Sequence, residues 1–108
     1  MRRLLATIAV LMLAGCASHP VVDAAACAAQ GGTVRRVGMS AAPTCVIPYP
    51  DAGRICSDNS DCIGSCRADP GAIIGDAGTG TCQRDSQDVF DCYLEIEAGV
   101  VVGGMCVN

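Results

Sequence analysis

The chain has 108 residues, a formal net charge of −4 and a hydrophobic content of 51%, but its aromatic side chains are limited to Tyr49, Phe90 and Tyr93. This length accommodates one small domain, and so few large apolar side chains cannot build an extensive core. With no lysine and an excess of acidic residues, the composition argues against nucleic acid as a partner and against electrostatic binding to anionic lipid.

The N-terminal segment has the composition of an export signal. Arg2 and Arg3 supply positive charge, and residues 4–13 form an apolar stretch. This stretch is too short to cross a bilayer, which requires about 20 residues in a helix. An uncleaved membrane helix and cleavage by an ordinary signal peptidase near Ala14 or Ala17 are the two alternatives.

The apolar stretch ends in small residues directly before a cysteine, in the order Leu13, Ala14, Gly15 and Cys16. This run resembles a bacterial lipobox. The resemblance implies that a signal peptidase recognises the first three residues and cleaves before Cys16, whose thiol then carries diacylglycerol, with acyl chains such as palmitate. Because Ala17 and not aspartate follows Cys16, we expect an outer-membrane lipoprotein. It would contact the membrane through this lipid and face the periplasm or the cell surface.

The same resemblance divides the chain into three parts. Residues 1–15 are the signal peptide, residues 16–22 are the lipidated N-terminus and tether, and residues 23–108 are a cysteine-rich domain. The single histidine, His19, lies in the tether without a neighbouring carboxylate to orient it, so we expect it to be solvated.

Nine cysteines are present, and eight remain when Cys16 is set aside. An even number of cysteines in an exported chain predicts disulfides, each worth about 2 to 4 kcal/mol. Eight cysteines allow about a hundred connectivities. Easy loop closure at both ends, and crossed pairing in the dense centre, favour four pairs: Cys27 with Cys45, Cys56 with Cys66, Cys62 with Cys82, and Cys92 with Cys106.

The first part of the domain predicts a helix and a hairpin. Asp23 can cap a helix over residues 24–30, which a glycine pair would end. Residues 33–37 and 44–47 predict two strands, joined by a turn at residues 38–43.

The central part predicts turns and loops. Residues 51–66 combine three cysteines with Asp, Asn, Ser and Gly, which favour compact turns without regular structure. Residues 68–80 predict a glycine-rich surface loop. We expect its apolar pair, Ile73 and Ile74, to fold back onto the core, the alternative being a contact site on the surface.

The last part predicts strands. Residues 89–97 alternate between apolar and polar side chains, which is typical of a half-buried strand. Glycines divide the remainder into two short strands, residues 100–102 and 105–107. The whole pattern predicts a small disulfide-rich, mainly β fold, with a short N-terminal helix and two hairpin-like units around a central cysteine-dense turn region.

The sequence lacks the complete residue sets that metal binding and catalysis require. Its cysteine spacings lack the CxxC pairs typical of zinc sites. Asp58, Asn59 and Asp61 begin like a calcium loop, but Cys62 stands at the fifth position. No histidine follows His19, so a nucleophile in the domain has no imidazole base. We therefore predict a turn-forming acidic cluster, no metal, no cofactor and no enzymatic activity.

Four stretches of the chain, CAAQGG, CVIP, DAGRICSDNSDCIGSC and MCVN, resemble small cysteine-rich lipoproteins and secreted proteins of proteobacteria without assigned activity. The central run is also similar to whey-acidic-protein-type four-disulfide inhibitors, although the adjacent cysteine pair of that family is missing here. The first resemblance implies a lipid-anchored envelope protein that binds a partner protein or has a structural role. The alternative is an inhibitor of proteases or another hydrolase that presents the loop at residues 68–80.

Overall fold

The computed structural model describes residues 21–107. The signal peptide, the lipobox with Cys16 and most of the tether lie outside the described residues, as does Asn108. The described elements are α1 (Ala24–Ala29), β1 (Thr33–Val37), β2 (Ala42–Val46), β3 (Ile55–Cys56), β4 (Cys66–Ala68), β5 (Gly80–Cys82), β6 (Asp91–Glu97) and β7 (Val100–Val107), with a 3-10 turn at Asn59–Asp61. They form the small, mainly β fold that the sequence predicts.

The helix and the first hairpin form as predicted, with small shifts at their ends. Asp23 caps α1, because its Oδ1 accepts hydrogen bonds from the N–H groups of Ala25 (2.9 Å) and Ala26 (3.2 Å). The helix ends one residue earlier than predicted, before Gly31, whose φ is +79°. Strands β1 and β2 pair antiparallel, and β2 begins at Ala42, two residues earlier than predicted.

The chain after β2 attaches the hairpin to the rest of the molecule. The Ile47 N–H donates to Ser86 Oγ (2.9 Å), and the Ser86 N–H donates back to the Ile47 carbonyl (2.9 Å). Two residues later, the Tyr49 N–H donates to the Arg84 carbonyl (3.0 Å). These two extended segments therefore run side by side and connect the hairpin to the larger sheet.

The larger sheet has five strands in the order β3-β5-β4-β6-β7, and every neighbouring pair is antiparallel. At the centre, β4 and β5 approach so closely that a Cβ at Gly80 would overlap the carbonyl of Arg67. The buried cluster of this sheet is small and rich in sulfur: Cys56, Cys66, Cys82, Ile96 and Val101. Half-cystines thus occupy positions that larger apolar side chains fill in bigger domains.

All four predicted disulfides are present. They join Cys27 to Cys45, Cys56 to Cys66, Cys62 to Cys82, and Cys92 to Cys106. The first ties α1 to β2, the second ties β3 to β4, the third ties the turn at Cys62 to β5, and the fourth crosses from β6 to β7.

The prediction of two short strands at the end of the chain is wrong, because β7 is continuous through its glycines. Tyr93 pairs with Met105 and Glu95 pairs with Val102, so two residues of β7 face one residue of β6. This is a β-bulge, and Gly104 lies in it. A Cβ at Gly104 would overlap the carbonyl of Tyr93, so this glycine permits a close approach of two strands and not a turn.

The bulge yields a test with a matched control. Gly104→Ala should lower the free energy of unfolding by about 1 to 3 kcal/mol, because the methyl group overlaps backbone that cannot move freely. Gly103→Ala should change it by less than about 0.5 kcal/mol, since no atom lies within 4 Å of the added Cβ. Chemical denaturation of the oxidised variants measures both values, and equal effects would contradict this account of the bulge.

Candidate functional site

An apolar groove of about 550 Å³ lies beside β6 and β7. One wall comes from the loop between β4 and β5, and the other comes from the two strands. Its principal lining side chains are Pro70, Ala72, Ile74, Tyr93, Leu94, Met105 and the disulfide of Cys92 and Cys106. The groove is therefore formed by segments that lie far apart in the sequence and meet through the sheet.

Hydrogen bonds hold the loop wall of the groove against β7. The Gly75 N–H donates to the Val101 carbonyl (2.8 Å), and the Val101 N–H donates to the Asp76 carbonyl (2.9 Å). The Gly78 N–H donates to the Gly99 carbonyl (3.0 Å). The loop is therefore an ordered extension of the sheet edge.

The expectation that Ile73 and Ile74 fold back onto the core is wrong. Their side chains are 65% and 61% exposed, and it is Ala72 that packs against the buried cluster. The hydrogen bonds to β7 fix the loop backbone, and the small Ala72 side chain takes the position next to the core. Met105 is also 61% exposed, so these three residues present large apolar side chains to solvent, and Ile74 and Met105 line the groove.

The Tyr93 ring is held in place by Arg67. The Arg67 guanidinium carbon lies 3.6 Å from the centre of the ring, a cation–π contact. The same guanidinium donates to Ser65 Oγ (2.6 Å) and to the Asp88 carbonyl. A guanidinium that is itself fixed thus holds the ring of Tyr93, a residue of β6.

The acidic cluster forms turns, as the sequence predicts. Asp58 Oδ1 accepts from the Ala98 N–H (2.7 Å), and Asp58 Oδ2 accepts from the Ser60 N–H (2.8 Å) and hydroxyl. Asp61 Oδ2 accepts from the Ser57 N–H (2.9 Å) and the Asp58 N–H (3.1 Å). Because backbone and hydroxyl donors use these carboxylate oxygens, the cluster braces the turn and the neighbouring β6–β7 connection.

Asn59 connects this turn to the sheet. Its Oδ1 accepts from the Cys66 N–H (2.7 Å), and its Nδ2 donates to Glu95 Oε2 (3.0 Å) and Glu97 Oε1 (3.4 Å). The two glutamates on β6 are therefore partners of a structural amide.

Three sulfur atoms of the core lie close enough together to resemble a metal site. The Sγ atoms of Cys56, Cys62 and Cys82 lie within 4.8 Å of one another. They belong, however, to two neighbouring disulfides, with Cys66 completing the first. Metal ligation requires thiolates, so this cluster is a covalent part of the core.

A second depression, of about 740 Å³, lies between the segment at residues 50–54 and the turn at residues 60–63. Asp51 braces its two sides, since its Oδ2 accepts from the Ile63 N–H (2.8 Å). This surface is lined by the polar and charged residues Asp51, Arg54, Ser60 and Asp61 and offers fewer apolar side chains than the groove beside β6 and β7. The groove is therefore the stronger candidate for a binding site.

Comparisons with protein-family models, curated proteins and solved structures find no match to this chain. Within residues 21–107, no helix has both the length and the apolar character needed to span a bilayer. Of the sequence-predicted functional residues, Leu13, Ala14, Gly15 and Cys16 lie outside the described part. Sequence reasoning missed the groove residues on the strands, Tyr93 and Met105, because their proximity to the loop depends on long-range pairing.

The Asp58 carboxylate gives a prediction about pH. The hydrogen bond from the Ser60 hydroxyl, followed by those from the N–H groups of Ala98 and Ser60, lowers the pKa of Asp58 from 3.8 to about 2. A lowered folded-state pKa stabilises the fold above about pH 4, and this contribution is lost as the pH falls through about 2. Asp58→Asn should therefore reduce stability more at pH 6 than at pH 2, as measured by denaturation.

The Ser60→Ala variant tests the stated cause. It removes the largest contribution, so the pKa of Asp58 followed by NMR should rise toward its ordinary value. An unchanged titration curve in this variant would contradict the assigned role of the hydroxyl.

Proposed function

We propose that this chain is a lipid-anchored protein of the cell envelope, held at the outer membrane by Cys16. Its disulfide-stapled domain binds a partner protein or has a structural role there, without catalysis. The observation that carries this proposal is the complete pairing of the eight other cysteines. One cysteine remains outside the disulfides, and it follows Leu13, Ala14 and Gly15, where a lipobox requires it.

The apolar groove supports a binding role for the domain. Ile73, Ile74 and Met105 expose large apolar side chains, and Ile74 and Met105 line the groove. Exposed apolar side chains on an ordered scaffold are typical of protein contact surfaces. The partner we propose is therefore an envelope protein with a complementary apolar segment.

The same loop supports the alternative function, inhibition of a protease or another hydrolase. Inhibitors of this kind present an ordered, exposed segment on a rigid framework, which lowers the entropy cost of binding. The loop at residues 68–80 has exposed isoleucines, and its Gly75 and Gly78 N–H groups bond to Val101 in β7 and to Gly99 just before it.

The lipid anchor is tested by a pair of substitutions. Cys16→Ser should abolish incorporation of labelled palmitate and release the protein from membranes, because the thiol is the acceptor of the lipid. Ala17→Asp should retain the lipid but move the protein to inner-membrane fractions, since aspartate at this position resembles a retention signal. A Cys16→Ser protein that still incorporates palmitate would overturn the proposed anchor.

The binding surface is tested by crosslinking in cells. A photoreactive amino acid at position 74 should capture a discrete envelope protein, identified by mass, because Ile74 lies in the groove. The matched control is position 39, since Met39 is 84% exposed but lies in the turn of the first hairpin. Equal capture from both positions would contradict a specific surface at the groove.

The identity of the captured protein separates the two functions. For the inhibitor, the protein crosslinked at position 74 is a hydrolase, and an equimolar amount of this chain lowers its activity. For the binding or structural role, the captured protein keeps its activity when this chain is bound.

A further inference from the structure

We propose that the Cys92–Cys106 disulfide is a surface site for thiol–disulfide exchange with a dithiol, whereas the other three disulfides are structural. This inference is independent of the proposed function, since it rests on the exposure and surroundings of one disulfide. The Cys92–Cys106 bond would then be reduced and reoxidised reversibly, in addition to linking β6 and β7.

Burial distinguishes this disulfide from the rest. Cys92 and Cys106 are both exposed, whereas every other pair includes at least one buried half-cystine. The relevant buried residues are Cys27 at 2% exposure, Cys56 at 3%, Cys66 at 0% and Cys82 at 4%. Since exchange requires a thiolate to reach a sulfur atom, access selects the Cys92–Cys106 bond.

The position of this bond allows it to open without loss of the fold. Cys92 and Cys106 face each other on β6 and β7, and backbone pairs lie on both sides of them, including Tyr93 with Met105. Neither half-cystine belongs to the buried cluster around Ile96. Reduction therefore leaves both the strand pairing and the core in place.

The surroundings favour a protein as the reductant. The disulfide lies within the apolar groove, beside Tyr93, Leu94 and Met105, and opposite Ile74 on the loop. An attacking cysteine carried on an apolar segment gains contacts there that a small polar thiol does not make. A protein dithiol should therefore reduce this disulfide faster than it reduces a small disulfide free in solution.

The exchange proceeds in two balanced steps. The thiolate of the dithiol forms a bond to one protein sulfur, the bond between Cys92 and Cys106 breaks, and its electron pair leaves on the other sulfur, which takes up a proton. The second thiol of the dithiol loses its proton and, as a thiolate, attacks the mixed disulfide at the dithiol's own sulfur, and the first protein sulfur leaves as a thiolate that takes up this proton. The dithiol is thereby oxidised to a disulfide by two electrons, and the protein disulfide is reduced to two thiols.

Limited reduction of the full-length oxidised chain tests the proposal. With dithiothreitol, followed by alkylation and peptide mapping, the first thiols to appear should be those of Cys92 and Cys106, about tenfold faster than any other pair. The partially reduced protein should retain its circular dichroism, and air oxidation should restore the bond. Another pair reduced first, or all four reduced together with unfolding, would overturn the proposal.

A variant pair tests the role of the groove. Met105→Asp places a charge beside the disulfide and should slow reduction by thioredoxin, a protein dithiol, while reduction by dithiothreitol stays unchanged. Met105→Leu keeps the apolar surface and should behave as the unchanged chain with both reagents. If Met105→Asp alters both rates equally, or neither, the groove has no part in selecting the reductant.

Discussion

The fold depends on disulfides in place of a large apolar core. The buried cluster of the five-stranded sheet has five members, and Cys56, Cys66 and Cys82 are three of them. Each disulfide restricts the unfolded chain and is worth about 2 to 4 kcal/mol, which is comparable to a fully buried large apolar side chain. In a chain with so few aromatic and large aliphatic residues in its interior, oxidation is therefore a condition of folding.

Side-chain hydrogen bonds, in addition to the disulfides, attach the central turn to the sheet. Asp58 and Asn59 connect the central turn to Ala98, Cys66 and Glu95, so that a segment with little regular structure is bound to β4 and β6. These side chains satisfy backbone N–H groups that no strand partner reaches. The carboxylates of Asp58 and Asp61 in this segment thus serve as acceptors for backbone N–H groups.

The sequence predicts best what local geometry decides. Asp23 caps its helix and the first hairpin forms because each needs only neighbouring residues. Easy loop closure predicts the first and last disulfides, and crossed pairing predicts the two central ones. The predictions that are wrong concern residues whose environment is set by residues far away in the sequence. Gly104 resembles a turn residue in sequence but lies in a bulge opposite Tyr93. Ile74 is exposed in a loop whose backbone is fixed by the hydrogen bond from Gly75 to Val101 in β7.

The distribution of the cysteines supports the proposed export independently of the N-terminal motif. A reducing compartment keeps thiols reduced, and reduction of Cys56, Cys66 and Cys82 would leave unpaired thiols where the core now has covalent links. The remaining buried residues of that cluster, Ile96 and Val101, are too few to replace them. The stability of the domain thus depends on its disulfides, which is consistent with the proposed export of the chain.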